Sequence, residues 1–227
     1  MRFVTNTTRR PHREVFERLL QLGFDVEVSE LFTPAIAARR ILADLGAKSI
    51  APFFPEASFV DFSAFELVGG SSRRAPDITP DTVVLGDLGD EWSPRYLNEA
   101  FRYVMDGAGL VALQKGRFWQ SADGLRLDAG PFVAAVEYAT GQQAVVCGKP
   151  AAPFFEAIIK SLRLPVDAAP PVMVGDDLWN DIGGAQRAGL RGWLVRTGKF
   201  REGVLAASEV HPDRVIGSVV EIIDTLD

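Results

Sequence analysis

The chain has 227 residues, 47% of them hydrophobic and 24% charged, which excludes intrinsic disorder and fibrous structure as overall descriptions. A net charge of −6 and a pI near 5.1 argue against nucleic acid as the main partner, because phosphate backbones want a basic face. Its single cysteine, Cys147, rules out an internal disulfide, its apolar runs are too short for a membrane span, and MRFVTNTTRR is too poor in apolar residues for a signal peptide, so a cytoplasmic protein that does not act on membranes is expected.

Phe3 and Val4 read as the end of a buried strand that runs into Thr5-Asn6-Thr7-Thr8. Pro11–Leu22 is a predicted helix, with Val15, Phe16, Leu19 and Leu20 on one face and Gly23 as its stop. Thr33-Pro34 predicts an N-cap and first helical position, and that helix runs to Gly46. Ser49–Phe54 reads as a strand, and Val60–Val68 as another. Gly69–Pro80 is a polar loop rich in Gly, Pro and Ser. A strand at Thr82–Leu85, a helix at Pro94–Met105, a strand at Leu110–Leu113, a helix at Pro131–Thr140 and a strand at Ala144–Val146 follow. The last third alternates regularly: helix Ala152–Leu162, strand Val172–Val174, helix Asp181–Ala188, strand Gly192–Val195 and helix Ser218–Leu226. Short, continuously apolar strands alternating with helices predict an α/β protein with a parallel sheet covered on both faces.

The most informative stretch is Val174-Gly175-Asp176-Asp177-Leu178-Trp179-Asn180-Asp181, where a buried strand ends at a glycine and carboxylates follow at once. In open α/β sheets, ligands bind outside the carboxyl ends of the strands. Three carboxylates within six residues repel one another at the edge of an apolar core, and a hard cation with oxygen ligands, Mg²⁺, relieves that repulsion. Asp176, Asp177 and Asp181 are therefore the candidate metal ligands. The plainer reading is that Asp177 or Asn180 caps the helix and the remaining charges are solvated.

Two weaker signals lie at other strand ends. The hydroxyl of Thr5 and amide of Asn6, beside free backbone N–H groups, make a candidate phosphate-binding turn, with helix capping as the alternative. Lys149, in Cys147-Gly148-Lys149-Pro150, is a single cation that can neutralise a phosphoryl group and an attacking carboxylate, with a solvated surface lysine as the alternative. His12 and His211 share no ligand spacing, and Gly107-x-Gly109 lacks the context of a dinucleotide fingerprint. Trp179 is a candidate wall of the substrate site, and Arg73-Arg74 reads as a solvated loop pair.

Taken in order, Val4-Thr5-Asn6-Thr7-Thr8, Gly148-Lys149-Pro150 and Val174–Asp181 resemble motifs two, three and four of haloacid-dehalogenase-superfamily phosphatases of subfamily IIA. Tyr103–Ala108, Ala122–Leu125 and Arg196–Phe200 extend the resemblance toward the branch of phospholysine phosphohistidine inorganic pyrophosphate phosphatase and the haloacid-dehalogenase-like domain proteins. The resemblance covers nearly the whole chain. It implies a Rossmannoid core of residues 1–29 and 147–227, lacking its first strand, with an α/β C2-type cap at residues 30–146. It also implies Thr5, Asn6 and Lys149 on the phosphoryl group and Asp176 on Mg²⁺. Lys149 and Asp181 would be the catalytic residues, with Asp181, and Asp177 as a second candidate, orienting metal-bound water or Lys149. The partner implied is a small phosphorylated substrate or inorganic phosphate, in a possible homodimer.

The family's first motif, Asp-x-Asp-Gly-Thr, does not occur in these 227 residues. The expectation is an N-terminally shortened phosphatase lacking the carboxylate that forms the aspartyl-phosphate. A catalytically inactive phosphate- and Mg²⁺-binding module is the alternative. A receiver domain fits poorly, since it has roughly half this length and carries its acidic pair on the first strand.

Overall fold

The computed structural model describes residues 1–73 and 79–225. Its contacts divide the chain into two units, Met1–Phe118 with Arg126–Gly148 and Trp119–Leu125 with Lys149–Asp227. Among the described residues, no helix is long and apolar enough to cross a membrane.

In chain order the elements up to the boundary are β1 (Phe3–Val4), α1 (His12–Gln21), β2 (Leu31–Phe32), α2 (Pro34–Asp44), β3 (Ser49–Phe53), β4 (Glu66–Leu67), β5 (Thr82–Leu85), α3 (Pro94–Met105), β6 (Gly109–Ala112), β7 (Phe118–Ser121), β8 (Gly124–Leu127), α4 (Ala129–Thr140) and β9 (Val145–Val146). The first unit is built on a parallel sheet of order β4-β3-β5-β6-β9. Its inner strands are buried on both faces, and their side chains alternate between two cores. Val83, Leu85, Leu110 and Ala112 join α3 and α4 on one side, while Val84, Val111 and Leu113 join α2 on the other. Trp92 stacks between Phe53 and Phe132, with ring centroids 6.0 and 4.7 Å away.

The differences from expectation have local causes. Val60–Val68 is not a strand: a 3₁₀ helix spans Glu56–Phe62, and pairing is confined to Glu66–Leu67. Three-residue spacing puts Phe59 and Phe62 on one side, and both rings pack on Phe54. Helix α4 starts at Ala129 because the Asp128 carboxylate accepts from its N–H at 2.8 Å. Thr33 precedes α2 without capping it; its hydroxyl is buried and has no partner among the described residues. Phe3 pairs with Leu31 and Val4 with Phe32, and β1 falls in the first unit. Arg74 lies outside the described residues.

The second unit carries α5 (Ala152–Leu162), β10 (Val172–Gly175), α6 (Gly184–Arg187), β11 (Arg191–Val195), α7 (Glu202–Ala206) and β12 (Arg214–Ile216). Its sheet is parallel, in the order β10-β11-β12, with Val174 opposite Trp193 and Leu194 opposite Val215. Leu194 packs with Leu178 and Ile182 on one face, and Trp193 and Val195 with Ile216 on the other. The single helix expected at Asp181–Ala188 is instead a π-helical turn, Leu178–Gly183, followed by the short α6. The N–H groups of Asp181 and Ile182 both donate to the Asp177 carbonyl, at 2.9 and 3.3 Å, and this widens the turn. The closing element is a 3₁₀ helix at Val219–Thr225, and Leu226 lies outside the described residues.

Candidate active site

The second unit assembles the acidic loop and Lys149. A Cβ on Gly175 would lie 2.2 Å from Oδ2 of Asp181, so a glycine at the end of β10 lets the Asp181 side chain fold back over the strand. Asp181 Oδ2 accepts from the Asp177 N–H at 3.2 Å, and Oδ1 accepts from Lys149 Nζ at 2.6 Å. Both side chains of this ion pair are almost fully buried, 9% exposed for Lys149 and 6% for Asp181. Gly184 brings the lysine segment in: a Cβ there would come within 2.9 Å of the Pro150 backbone and 2.7 Å of the Phe155 ring. The Lys149–Pro150 peptide is cis.

Asp177 is the N-cap of the π-helical turn, accepting from the N–H groups of Trp179 and Asn180 at 3.2 and 3.0 Å. Its other oxygen accepts from Asn180 Nδ2 at 2.9 Å and Lys199 Nζ at 2.9 Å. Burial opposes the Asp177 anion, but the donors from Lys199 and Asn180 outweigh it and hold the carboxyl below its ordinary range. Asp176 Oδ2 accepts from the backbone N–H of Lys199 at 2.8 Å. Gly198 permits that approach, with φ of +57° and a would-be Cβ only 2.0 Å from the same oxygen.

Each of Asp176, Asp177 and Asp181, expected from sequence as ligands of one cation, has its own hydrogen-bond partner here. Among the described residues no three acidic, histidine or cysteine side chains form a metal cage. Lys149 neutralises Asp181 and Lys199 neutralises Asp177, so the negative charge of the loop remains on Asp176. A single carboxylate suits Mg²⁺, which binds through one or two carboxylates and keeps water or substrate oxygens on its other positions. The donors here are all hard oxygens, so the residues fit the ion with Asp176 as its carboxylate. From sequence, Lys199 and Gly198 enter only within the Arg196–Phe200 resemblance and Asn180 only as a candidate cap, none with a role at the site. The signal for the first two was a Gly-Lys pair shortly after the buried strand β11 (Arg191–Val195), the pattern that marked Lys149. Trp179, 37% exposed, lines a cavity of about 470 Å³ with Val204, Ala207 and Val210.

Thr5 and Asn6 lie in the first unit, across the carboxyl edge of its sheet. The Thr5 N–H donates to the Phe32 carbonyl at 3.1 Å, and the Thr5 hydroxyl accepts from the Thr7 N–H at 3.1 Å. A Cβ on Gly148, just beyond β9, would lie 2.7 Å from Asn6 Oδ1 and 2.8 Å from the Leu113 carbonyl. Further along, the Thr8 hydroxyl accepts from the Asp87 N–H at 3.0 Å, at the end of β5. Burial pushes the Asp87 carboxyl up; the Gly89 N–H and Arg9 draw it back, and Asp128 and Asp90 add to the rise. A carboxyl whose folded pKa is raised costs stability once both states ionise, and that cost vanishes below the unfolded value of 3.8. Asp87→Asn is therefore expected to raise the urea midpoint at pH 7, with the gain shrinking to nothing as pH falls below 3.8. Equal midpoints at both pH values would contradict this.

The HAD-hydrolase-like family profile matches residues 146–222. The chain is 40% identical over 201 residues to haloacid dehalogenase-like hydrolase domain-containing protein 2 of Bos taurus, covering 88% of this chain and 73% of that protein. It is 37% identical over 228 residues to human phospholysine phosphohistidine inorganic pyrophosphate phosphatase, covering 100% of this chain and 80% of that protein. Among solved structures, it resembles a glycerol phosphate phosphatase from Mycobacterium tuberculosis in complex with magnesium, with TM-score 0.75 and 31% identity over 94% of this chain and 64% of that one.

Proposed function

The chain belongs to the haloacid-dehalogenase-like hydrolase superfamily, and from that premise we propose that it is the phosphate- and Mg²⁺-handling part of a phosphohydrolase acting on a small phosphorylated molecule. The observation that carries this reading is the buried Lys149–Asp181 pair, 2.6 Å long, in the same unit as the Asp176 loop. Burying an ammonium is costly unless it is paired and hydrogen-bonded. Lys149 is so paired, and a phosphoryl group is the second anion that a lysine at a strand end can take. A relative solved with magnesium supports the choice of ion.

Asp176 holds the ion in this proposal, and bound Mg²⁺ would draw negative charge from the phosphoryl oxygens. Lys149 stabilises charge that grows on those oxygens during transfer. Asp181 acts through Lys149: it fixes the position of the ammonium. We assign no nucleophile within these residues, because no Asp-x-Asp pair occurs in the sequence. The organisation implied by the family, a core of residues 1–29 and 147–227 with a cap at 30–146, is part of the proposal. So are a cytoplasmic setting and a homodimer.

The test is a phosphate-release assay on two proteins, the 227-residue chain and the same chain carrying an N-terminal strand with Asp-x-Asp-Gly-Thr. The expected result is Mg²⁺-dependent release only from the second, with phosphomonoesters, phosphoamides and pyrophosphate as the substrates compared. Absence of release from both, with both folded, would overturn the hydrolase reading and leave a binding module. Release by the first would place a nucleophile within the chain.

A further inference from the structure

Adjacent carboxylates of the acidic loop are held by one residue in two different ways. The backbone N–H of Lys199 donates to Asp176 Oδ2 at 2.8 Å, and its ammonium donates to Asp177 Oδ2 at 2.9 Å. The other Asp177 oxygen faces the N–H groups of Trp179 and Asn180, so Oδ2, which also accepts from the neutral Asn180 amide at 2.9 Å, is the oxygen that could turn toward a cation once the ammonium is gone. Lys199 is 31% exposed against 12% for Asp177, so the ammonium stands on the solvent side of the carboxylate.

We infer that Lys199 is a cation-selectivity residue: by holding Asp177 Oδ2 it keeps a second carboxylate away from the ion that Asp176 takes. This rests on the magnesium reading above. A loop that offers one carboxylate suits Mg²⁺, which is small, octahedral and reluctant to give up water. Ca²⁺ takes 6–8 oxygen ligands and gains affinity with each added carboxylate. Freeing Asp177 would add a carboxylate oxygen and a negative charge together. At equal distance the added charge attracts both divalent ions equally, because both carry +2. The added ligand favours Ca²⁺. The ratio of the two affinities therefore isolates the role assigned to Lys199 from general electrostatics and from loosening of the loop.

The experiment is calorimetric titration of the full chain with MgCl₂ and, separately, with CaCl₂, for wild type, Lys199→Met and Lys199→Arg. Lys199→Met is expected to shift the ratio of dissociation constants about tenfold toward Ca²⁺. Lys199→Arg, which can still donate to Asp177, is expected to keep the wild-type ratio. Adding Asp177→Asn to Lys199→Met should erase the shift, since the amide removes the anionic ligand while keeping the helix cap. If Lys199→Met does not fold, Lys199→Ala, which likewise has no donor for Asp177, serves in its place. Parallel changes for both ions, or a ratio that survives Asp177→Asn, would overturn the selectivity role while leaving the magnesium site standing. Failure of every variant, wild type included, to bind either ion would overturn both.

Discussion

Replacing Lys149 with methionine should destabilise the second unit by about 3–5 kcal/mol, the usual result of removing one partner from a buried ion pair. The reason is the partner left behind. Asp181 is buried, and without the ammonium its carboxylate keeps, among the described residues, the hydrogen bond from the Asp177 N–H at 3.2 Å. A solvated lysine, the plain reading of an isolated lysine in sequence, would lose phosphate affinity on truncation and little else. The double variant Lys149→Met with Asp181→Asn removes both charges, keeps an acceptor for Asp177 N–H, and should recover most of the loss, since buried ion pairs and uncharged replacements of similar volume are often close in stability. Urea melts of the two single variants and the double variant measure this as a coupling energy. A small loss in Lys149→Met, or additive losses in the double variant, would show that the pair does not hold this part of the unit together.

The second large effect is expected at Gly198. Its φ of +57° costs a side-chain-bearing residue about 1–2 kcal/mol. That cost alone is visible in Gly189→Ala, because Gly189 has φ of +85° and nothing within 4 Å of a would-be Cβ. Gly198→Ala meets the Asp176 carboxylate at 2.0 Å as well, and must push it away from the Lys199 N–H. We expect Gly198→Ala to weaken Mg²⁺ binding about 10–100-fold, as losses around a metal ligand commonly do, and Gly189→Ala to leave it unchanged. Circular dichroism and calorimetry on both variants give the comparison, and equal effects on Mg²⁺ would refute the assigned role of Asp176.

Much of this was legible in the residues. A strand of continuous apolar residues followed by Gly-Asp-Asp announces a strand end with chemistry on it, and a Gly-Lys-Pro after another strand announces a placed cation. Thr82–Leu85, Pro94–Met105 and Ala152–Leu162 fall where the periodicity puts them, because each is bounded by a proline, a cap or a polar break. Apolar content misled at Val60–Val68, where aromatic residues three apart favour a 3₁₀ helix over pairing. The three carboxylates looked equivalent in sequence because nothing local distinguishes them. Their differences come from Lys149 and Lys199, which reach them from 32 and 22 residues away, and such long-range pairing leaves no periodic trace. The hairpin strands Phe118–Ser121 and Gly124–Leu127 leave one sequence signal, the alternation of Leu125, Arg126 and Leu127 beside a short turn.

The central claim is that Lys149, beside the Asp176 loop, takes a phosphoryl group together with Mg²⁺. Its most direct measurement is calorimetric titration of inorganic phosphate, in the presence of Mg²⁺, into the wild-type chain and into the folded Lys149→Met, Asp181→Asn double variant. The account predicts saturable phosphate binding by the wild type and at least about tenfold weaker binding by the double variant, since charged hydrogen bonds contribute roughly 1.5–3 kcal/mol each. Equal phosphate affinity in the two proteins would contradict it.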